Sequence, residues 1–167
     1  MSNEENSKSE QQNKLMQIMQ RVPIFSALSL DELKTLLSSC SKILLDENEI
    51  LCRKGEYPDL MFILLNGKLI VTLGEAAVVS YIDSGSTIGE MGVFTGEPRS
   101  ADVIAVEKSV LLSLKKADIE RIIDENPILG IKIMKKVIEI LSERITDDNA
   151  RIKEFQKFVI NRENSKS

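Results

Sequence analysis

Two residues of opposite charge, Glu90 and Arg99, stand nine positions apart in the stretch IGEMGVFTGEPRSADV (88–103), accompanied by Gly89 and Ser100. This set suits a small phosphate. A guanidinium forks onto phosphate oxygens through two parallel hydrogen bonds. The Ser100 hydroxyl adds a donor, Gly89 lets a ligand approach the backbone closely, and Pro98 fixes the chain entering Arg99. Ile88 ends a strand, and the following MGVF can make one helical turn whose first N–H groups point outward and attract anions. Glu90 would repel a phosphate that it faced, so its carboxylate is useful toward hydroxyls beside the phosphate, as on a ribose. The local chemistry suits a sugar phosphate held between a helix start and an arginine. The same residues admit a plainer reading, in which Glu90 complements a helix dipole and Arg99 pairs with Glu97 at the surface.

Other chemistries are narrowed by composition. The chain has 167 residues, 43% apolar and 29% charged, with a formal net charge of −4. That describes one domain with some extra helix or tail, and its acidic balance argues against a nucleic-acid binder. There is no histidine, which removes His-based acid–base catalysis, His-activated nucleophiles and His metal sites together. Neither an enzyme nor a metal site is expected. Cys40 and Cys52 read as reduced, partly buried thiols of a cytoplasmic protein. No apolar run approaches the roughly 20 residues of a membrane span, and the polar start MSNEENSKSEQQN is not a secretion signal.

The elements that must position the cassette come next. LMQIMQRV (15–22) reads as a short helix stopped by Pro23. Ser29 and Glu32 form a capping box for DELKTLLSSC. From Ile43 to Leu114 short β-rich runs alternate with turn signals, and Asn66–Gly67 reads as a two-residue hairpin turn. Gly55, Gly67 and Gly96 read as turn and loop glycines. Such spacing predicts an all-β sandwich or barrel. KADIERIIDENP then reads as a helix ending at Pro127, and a long helix follows. The domain reading is a tail at 1–13, a β-domain with flanking helices at 14–127, a long helix at 128–160, and a second tail at 161–167.

The long helix carries a seam of 3,4 spacing: Ile131, Met134, Ile138, Leu141, Ile145, Asp148, Ile152, Phe155 and Val159. With Ile131 as position a, every a residue is β-branched and d reads Met, Leu, Asp, Phe, a pattern that favours parallel two-stranded coiled coils. A homodimer through the apolar members of this seam is expected, with Asp148 as the one conflict. Ile133, Val137 and Ile140 lie off the seam. They imply that residues 128–141 also touch the chain's own β-domain.

The stretch GEMGVFTGEPRSA closely resembles the phosphate-binding cassette of cyclic nucleotide-binding domains, the family of the catabolite activator protein and the regulatory subunits of protein kinase A. The resemblance extends to VPIFSALSLDELKTLLSSC, DENEILCRKGEYPDLMFILLNGKLIV and KKADIERIIDENP, and covers residues 20–145. It implies a mainly β fold, an eight-stranded jelly-roll β-barrel with N-terminal helices and a long C-terminal helix, in a stand-alone member of bacterial type. It implies a cAMP or cGMP receptor without a cofactor. Glu90 would take the ribose 2′-hydroxyl and Arg99 the cyclic phosphate, with the amides of Gly89, Glu90 and Met91 and the Ser100 hydroxyl completing the cradle. Ile88, Val79 and Val103 would hold sugar and base, and Arg144, Ile145 and Thr146 would lie near the purine. Ser100 resembles the bacterial cAMP-binding type. Asp102 departs from the family pattern by placing an anion near the site. Only 41 residues follow Asn126, and no DNA-reading helix fits among them, so the expected output is a change of shape or of protein partner. The alternative is a ligand-free dimeric scaffold with the same fold.

Overall fold

A computed structural model describes residues 15–74 and 78–164, with side chains through residue 157. The tail expected at 1–13 lies outside the described residues. Residues 15–21 form helix α1, and a 3₁₀ turn at Pro23–Phe25 follows. Helix α2, Leu30–Ser38, starts with the expected capping box. Ser29 Oγ accepts from the Glu32 amide at 3.3 Å, and Glu32 Oε2 accepts from the Ser29 amide at 2.7 Å.

Eight strands follow: β1 Ser41–Leu45, β2 Ile50–Cys52, β3 Leu60–Asn66, β4 Lys68–Thr72, β5 Val78–Asp83, β6 Thr87–Ile88, β7 Asp102–Ala105 and β8 Ser109–Lys115. The short helix α3, Glu90–Thr95, interrupts them between β6 and β7. The strands form two antiparallel sheets of order β1-β8-β3-β6 and β2-β7-β4-β5. No ladder joins the two sheets among the described residues, so the fold is a two-sheet β-roll flanked by helices.

This topology corrects the hairpin expected at Asn66–Gly67. β3 and β4 do not pair: β3 lies between β8 and β6, and β4 between β7 and β5. Gly67 is the corner where the chain leaves one sheet for the other. Its φ is +105°, and an added Cβ would come within 2.7 Å of the Ser109 Cα. Only a residue without a side chain fits against the start of β8, so Gly67 serves close approach as well as turning.

The uninterrupted apolar run of β3 follows from burial on both faces. Met61 and Ile63 face the helices, in a core with Phe25, Leu33, Leu36, Leu114, Ile122, Ile133 and Val137. Phe62 and Leu64 face the roll interior with Leu69, Ile88, Val103 and Leu111. Helix α4 spans Lys116–Glu125, and α5 spans Pro127–Asn164. Pro127 therefore opens α5 at a position that needs no amide donor. The tail expected from 161 is helical through Asn164, and 165–167 lie outside the described residues. The base of α5 is fixed by buried Leu129, Ile133 and Val137, with Ile140 and Leu141 half-buried against the same core. At Gly130 a Cβ would meet Ile123 Cγ2 at 2.7 Å, so this glycine lets α5 approach α4. Lys132 Nζ reaches both Glu32 oxygens at 2.8 and 2.9 Å, and the lysine's hydrogen bond holds that carboxyl below the usual carboxylate range.

Two glycines with positive φ separate strain from crowding. Gly55 has φ +87° with nothing near its missing Cβ, whereas Gly67 has both positive φ and the Ser109 backbone against it. Gly55→Ala is expected to cost about 1–2 kcal/mol of backbone strain. Gly67→Ala is expected to cost about 3–4 kcal/mol, since crowding adds to strain. Urea unfolding of both variants checks this; equal losses contradict the sheet-crossing corner.

Candidate functional site

Gly89 carries the chain from β6 into α3 in the left-handed conformation, φ +80° and ψ 12°. A Cβ at that position would meet Arg99 Cζ at 2.7 Å. The positive φ favours glycine here, and a side chain would in addition push the guanidinium from its place. The Arg99 side chain is buried. Its Nη1 donates to the Gly89 carbonyl at 3.2 Å, and its Nη2 donates to the Leu60 carbonyl. Its Cζ lies 5.7 Å from the centre of the Phe62 ring. The backbone of Arg99 is clamped too: its amide donates to Glu56 O and its carbonyl accepts from the Gly55 amide, both at 2.8 Å. The alternative pairing with Glu97 is not found among the described residues.

Glu90, the first residue of α3, is also buried, and its Oε1 accepts from Arg144 Nη1 of α5 at 2.6 Å. A carboxylate with an ionic partner and a guanidinium held only by carbonyl oxygens and a ring therefore lie close together in one wall. Among the described residues Arg99 has no ion pair.

These groups line a cleft of ≈ 710 Å³ between the β2-β7-β4-β5 sheet, α3 and α5. Gly89, Glu90, Met91, Arg99, Ser100, Ile88, Val79 and Val103 all line it. Ile88 and Val103 are buried in its floor, while Val79, Met91 and Ser100 are exposed near its mouth. α5 corrects the expectation for its contribution. Arg144 lines the cleft, but Ile145 and Thr146 do not. Ile145 is exposed on the seam face, and the Thr146 hydroxyl donates back to Ser142 O at 2.9 Å. The helix instead presents Arg144, Asp147, Asp148 and Arg151. Their spacing of i, i+3, i+4 and i+7 is one helix face, a signal that was present in the sequence.

Asp102 does not line the cleft: its Oδ1 accepts from the Lys54 amide at 2.6 Å. Its charge serves the 53–56 loop that clamps Arg99. Cys52, unnoticed as a lining residue, lies in the cleft wall. Burial pushes its thiol up, opposed by the nearby Arg99 charge. Burial also raises the half-buried Cys40, to about 11, so both remain protonated thiols.

A family model described as the cyclic nucleotide-binding domain matches residues 42–126, just over half of the chain. A cyclic nucleotide-gated potassium channel of Rhizobium etli is 30% identical over 123 residues, covering 74% of this chain and 34% of the channel. The chain thus spans about a third of that relative's length. A crystal structure of a cyclic nucleotide-binding domain from Methylobacillus flagellatus superposes with a TM-score of 0.74 at 22% identity, covering 86% of this chain and 83% of that one. The regulatory domain of Toxoplasma gondii protein kinase A, crystallised with cAMP, superposes with a TM-score of 0.63 at 24% identity, covering 68% and 44%. Fold, matched segment and channel relative agree, and the chain belongs to the cyclic nucleotide-binding domain family.

Proposed function

We propose that this chain is a cyclic-nucleotide receptor, preferring cAMP and accepting cGMP, that converts binding into a rearrangement of α5 and of the surface it offers to a partner. The observation that carries this reading is the buried Arg99 guanidinium, without an ionic partner among the described residues, beside the buried Glu90 in the wall of the cleft. A buried cation is costly until an anion neutralises it. Two of its five N–H donors are used on carbonyls, which leaves donors for phosphate oxygens. Glu90 is the natural acceptor for a ribose hydroxyl, and the amides of Gly89, Glu90 and Met91 and the Ser100 hydroxyl complete the cradle. The cleft volume falls in the range of ordinary small-molecule sites, and buried Ile88 and Val103 offer apolar surface to sugar and base. The solved neighbours reported above are a binding domain and a regulatory domain, which favours a regulator over an enzyme.

A homodimer through α5 belongs to the same proposal. Ile131, Met134, Ile138, Ile145, Ile152 and Phe155 are all exposed along one helix, Ile138 at 65% and Phe155 at 68%. Leu141 is half-buried against its own core, and the Val159 side chain lies outside the described residues. β-Branched a positions favour a second copy as the cover. Asp148 lies both at a d position and in the cleft wall, so the seam passes beside the ligand site. This supports a link between binding and assembly. The rival, a ligand-free docking module, would use the same seam but take up no nucleotide.

Calorimetric titration tests the receptor reading. Arg99→Ala is expected to weaken cAMP binding by about 3–5 kcal/mol, a hundredfold or more, by stranding the phosphate charge. Unchanged affinity in a folded variant contradicts the assignment. Sedimentation tests the dimer. Ile138→Asp with Ile152→Asp is expected to give monomers from a dimeric parent, and an unchanged sedimentation coefficient rules out this seam.

A further inference from the structure

We propose that Asp102 is a positioning residue that raises the affinity of the cleft for a phosphate, by holding Arg99 in place from behind the sheet; this rests on the cyclic-nucleotide reading of the cleft. If charge were its only effect, a carboxylate at this position would weaken phosphate binding. Its hydrogen bond outweighs its charge. Asp102 opens β7 and is the ladder partner of Thr72 in β4. The next residue, Val103, belongs to the roll interior, so Asp102 points to the opposite face of the sheet. It is not part of the cleft lining. The sheet backbone stands between its carboxylate and a phosphate in the cleft.

What the carboxylate holds is the loop that follows β2. The β2–β7 ladder ends at Cys52–Val103, after a register shift between Ile50 and Cys52. Beyond that point each successive amide finds an acceptor. Arg53 donates to Glu56 Oε2 at 2.9 Å, Lys54 to Asp102 Oδ1 at 2.6 Å, Gly55 to the Arg99 carbonyl at 2.8 Å, and Glu56 to the Arg53 carbonyl at 3.2 Å. Lys54 and Gly55 are neighbours, so the Asp102 side chain and the Arg99 carbonyl grip adjacent amides. The Arg99 amide closes the ring by donating to the Glu56 carbonyl at 2.8 Å. Gly55, at φ +87° with nothing near its missing Cβ, lends the loop no packing there, so the loop's shape depends on these hydrogen bonds. Without the Asp102 acceptor the Lys54 amide turns to water and the Gly55–Arg99 bond beside it loosens. Arg99 then loses the preorganisation that makes its fork on a phosphate favourable. The opposing effect is repulsion, and the field of Asp102 does reach the cleft wall. Burial pushes the Cys52 thiol up, Arg99 eases it, and Glu56 and Asp102 push it further. At physiological salt, however, exposed charges are screened over about 8 Å, whereas the clamp acts by contact.

The test is calorimetric titration of the parent, Asp102→Asn and Asp102→Ala with cAMP, together with hydrogen exchange at the Lys54 and Gly55 amides. Asp102→Asn removes the charge but keeps an acceptor for Lys54, and its affinity is expected to stay within about twofold of the parent. Asp102→Ala removes both. It is expected to bind cAMP about three- to tenfold more weakly, and its Lys54 and Gly55 amides to exchange faster. In an Arg99→Ala background the same change is expected to cost less than about twofold, because a residue that acts through Arg99 then has nothing to act on. The proposal is overturned if both variants bind cAMP more tightly than the parent, which makes charge the dominant effect. It is equally overturned if Asp102→Ala leaves the affinity unchanged, or weakens binding alike with and without Arg99. Should Asp102→Ala not fold, Asp102→Asn decides by itself: retained affinity upholds the proposal and tighter binding overturns it. A parent that takes up no cAMP overturns the receptor reading, whereas unchanged exchange at Lys54 and Gly55 in Asp102→Ala overturns the clamp independently of it.

Discussion

The geometry of the cleft depends on how one guanidinium is held. Arg99 comes from a loop, yet its side chain is buried and fixed by the carbonyls of Gly89 and Leu60, while its backbone is clamped by Gly55 and Glu56. Carbonyl oxygens orient a guanidinium without cancelling its charge. The surrounding residues therefore keep a positive charge at the cleft wall while apolar neighbours such as Phe62 limit its solvation. A Cβ at Gly89 would displace that guanidinium from the carbonyls that hold it. Asp102 contributes at one remove, through the Lys54 amide of the clamping loop. A carboxylate that departs from the family pattern thus acts here as a support for Arg99 and does not add a charge to the cleft lining.

α5 joins the other half of the site to the rest of the molecule. Its base belongs to the helical core, one face of its outer part carries Arg144, Asp147, Asp148 and Arg151 to the cleft, and another face presents an apolar seam. Asp148 sits on both. A helix with a fixed base and a weakly attached outer part can exist in two positions, and a ligand shifts them only through contacts that differ between the two. The Arg144–Glu90 pair joins the helix to the residue proposed to read the ligand.

Local features of the sequence were the legible ones. The Ser29–Glu32 capping box, the strand runs and the cassette from Gly89 to Ser100 are each contained within a few residues, and their chemistry follows from residue type and spacing. The off-seam trio Ile133, Val137 and Ile140 correctly indicated that the first part of α5 packs on its own domain. What depended on partners distant in sequence was not legible. Asn66–Gly67 has the composition of a hairpin, but β3 and β4 find other neighbours, and the crowding of Gly67 comes from Ser109 across the fold. The carbonyl of Leu60 carries no mark in the sequence of its role under Arg99. Arg144 lines the cleft, but its ionic partner there, Glu90, lies 54 positions away and was not foreseen. The companion residues at 147, 148 and 151 could have been found by following the helix face from Arg144 instead of its immediate neighbours.

The most direct test of the central claim is a crystal structure grown with cAMP and cGMP present. The account predicts one nucleotide in the cleft, its cyclic phosphate within hydrogen-bond distance, about 3 Å, of the Arg99 guanidinium and its ribose hydroxyl on Glu90. A cleft without nucleotide, or a nucleotide whose phosphate lies away from Arg99, would contradict it.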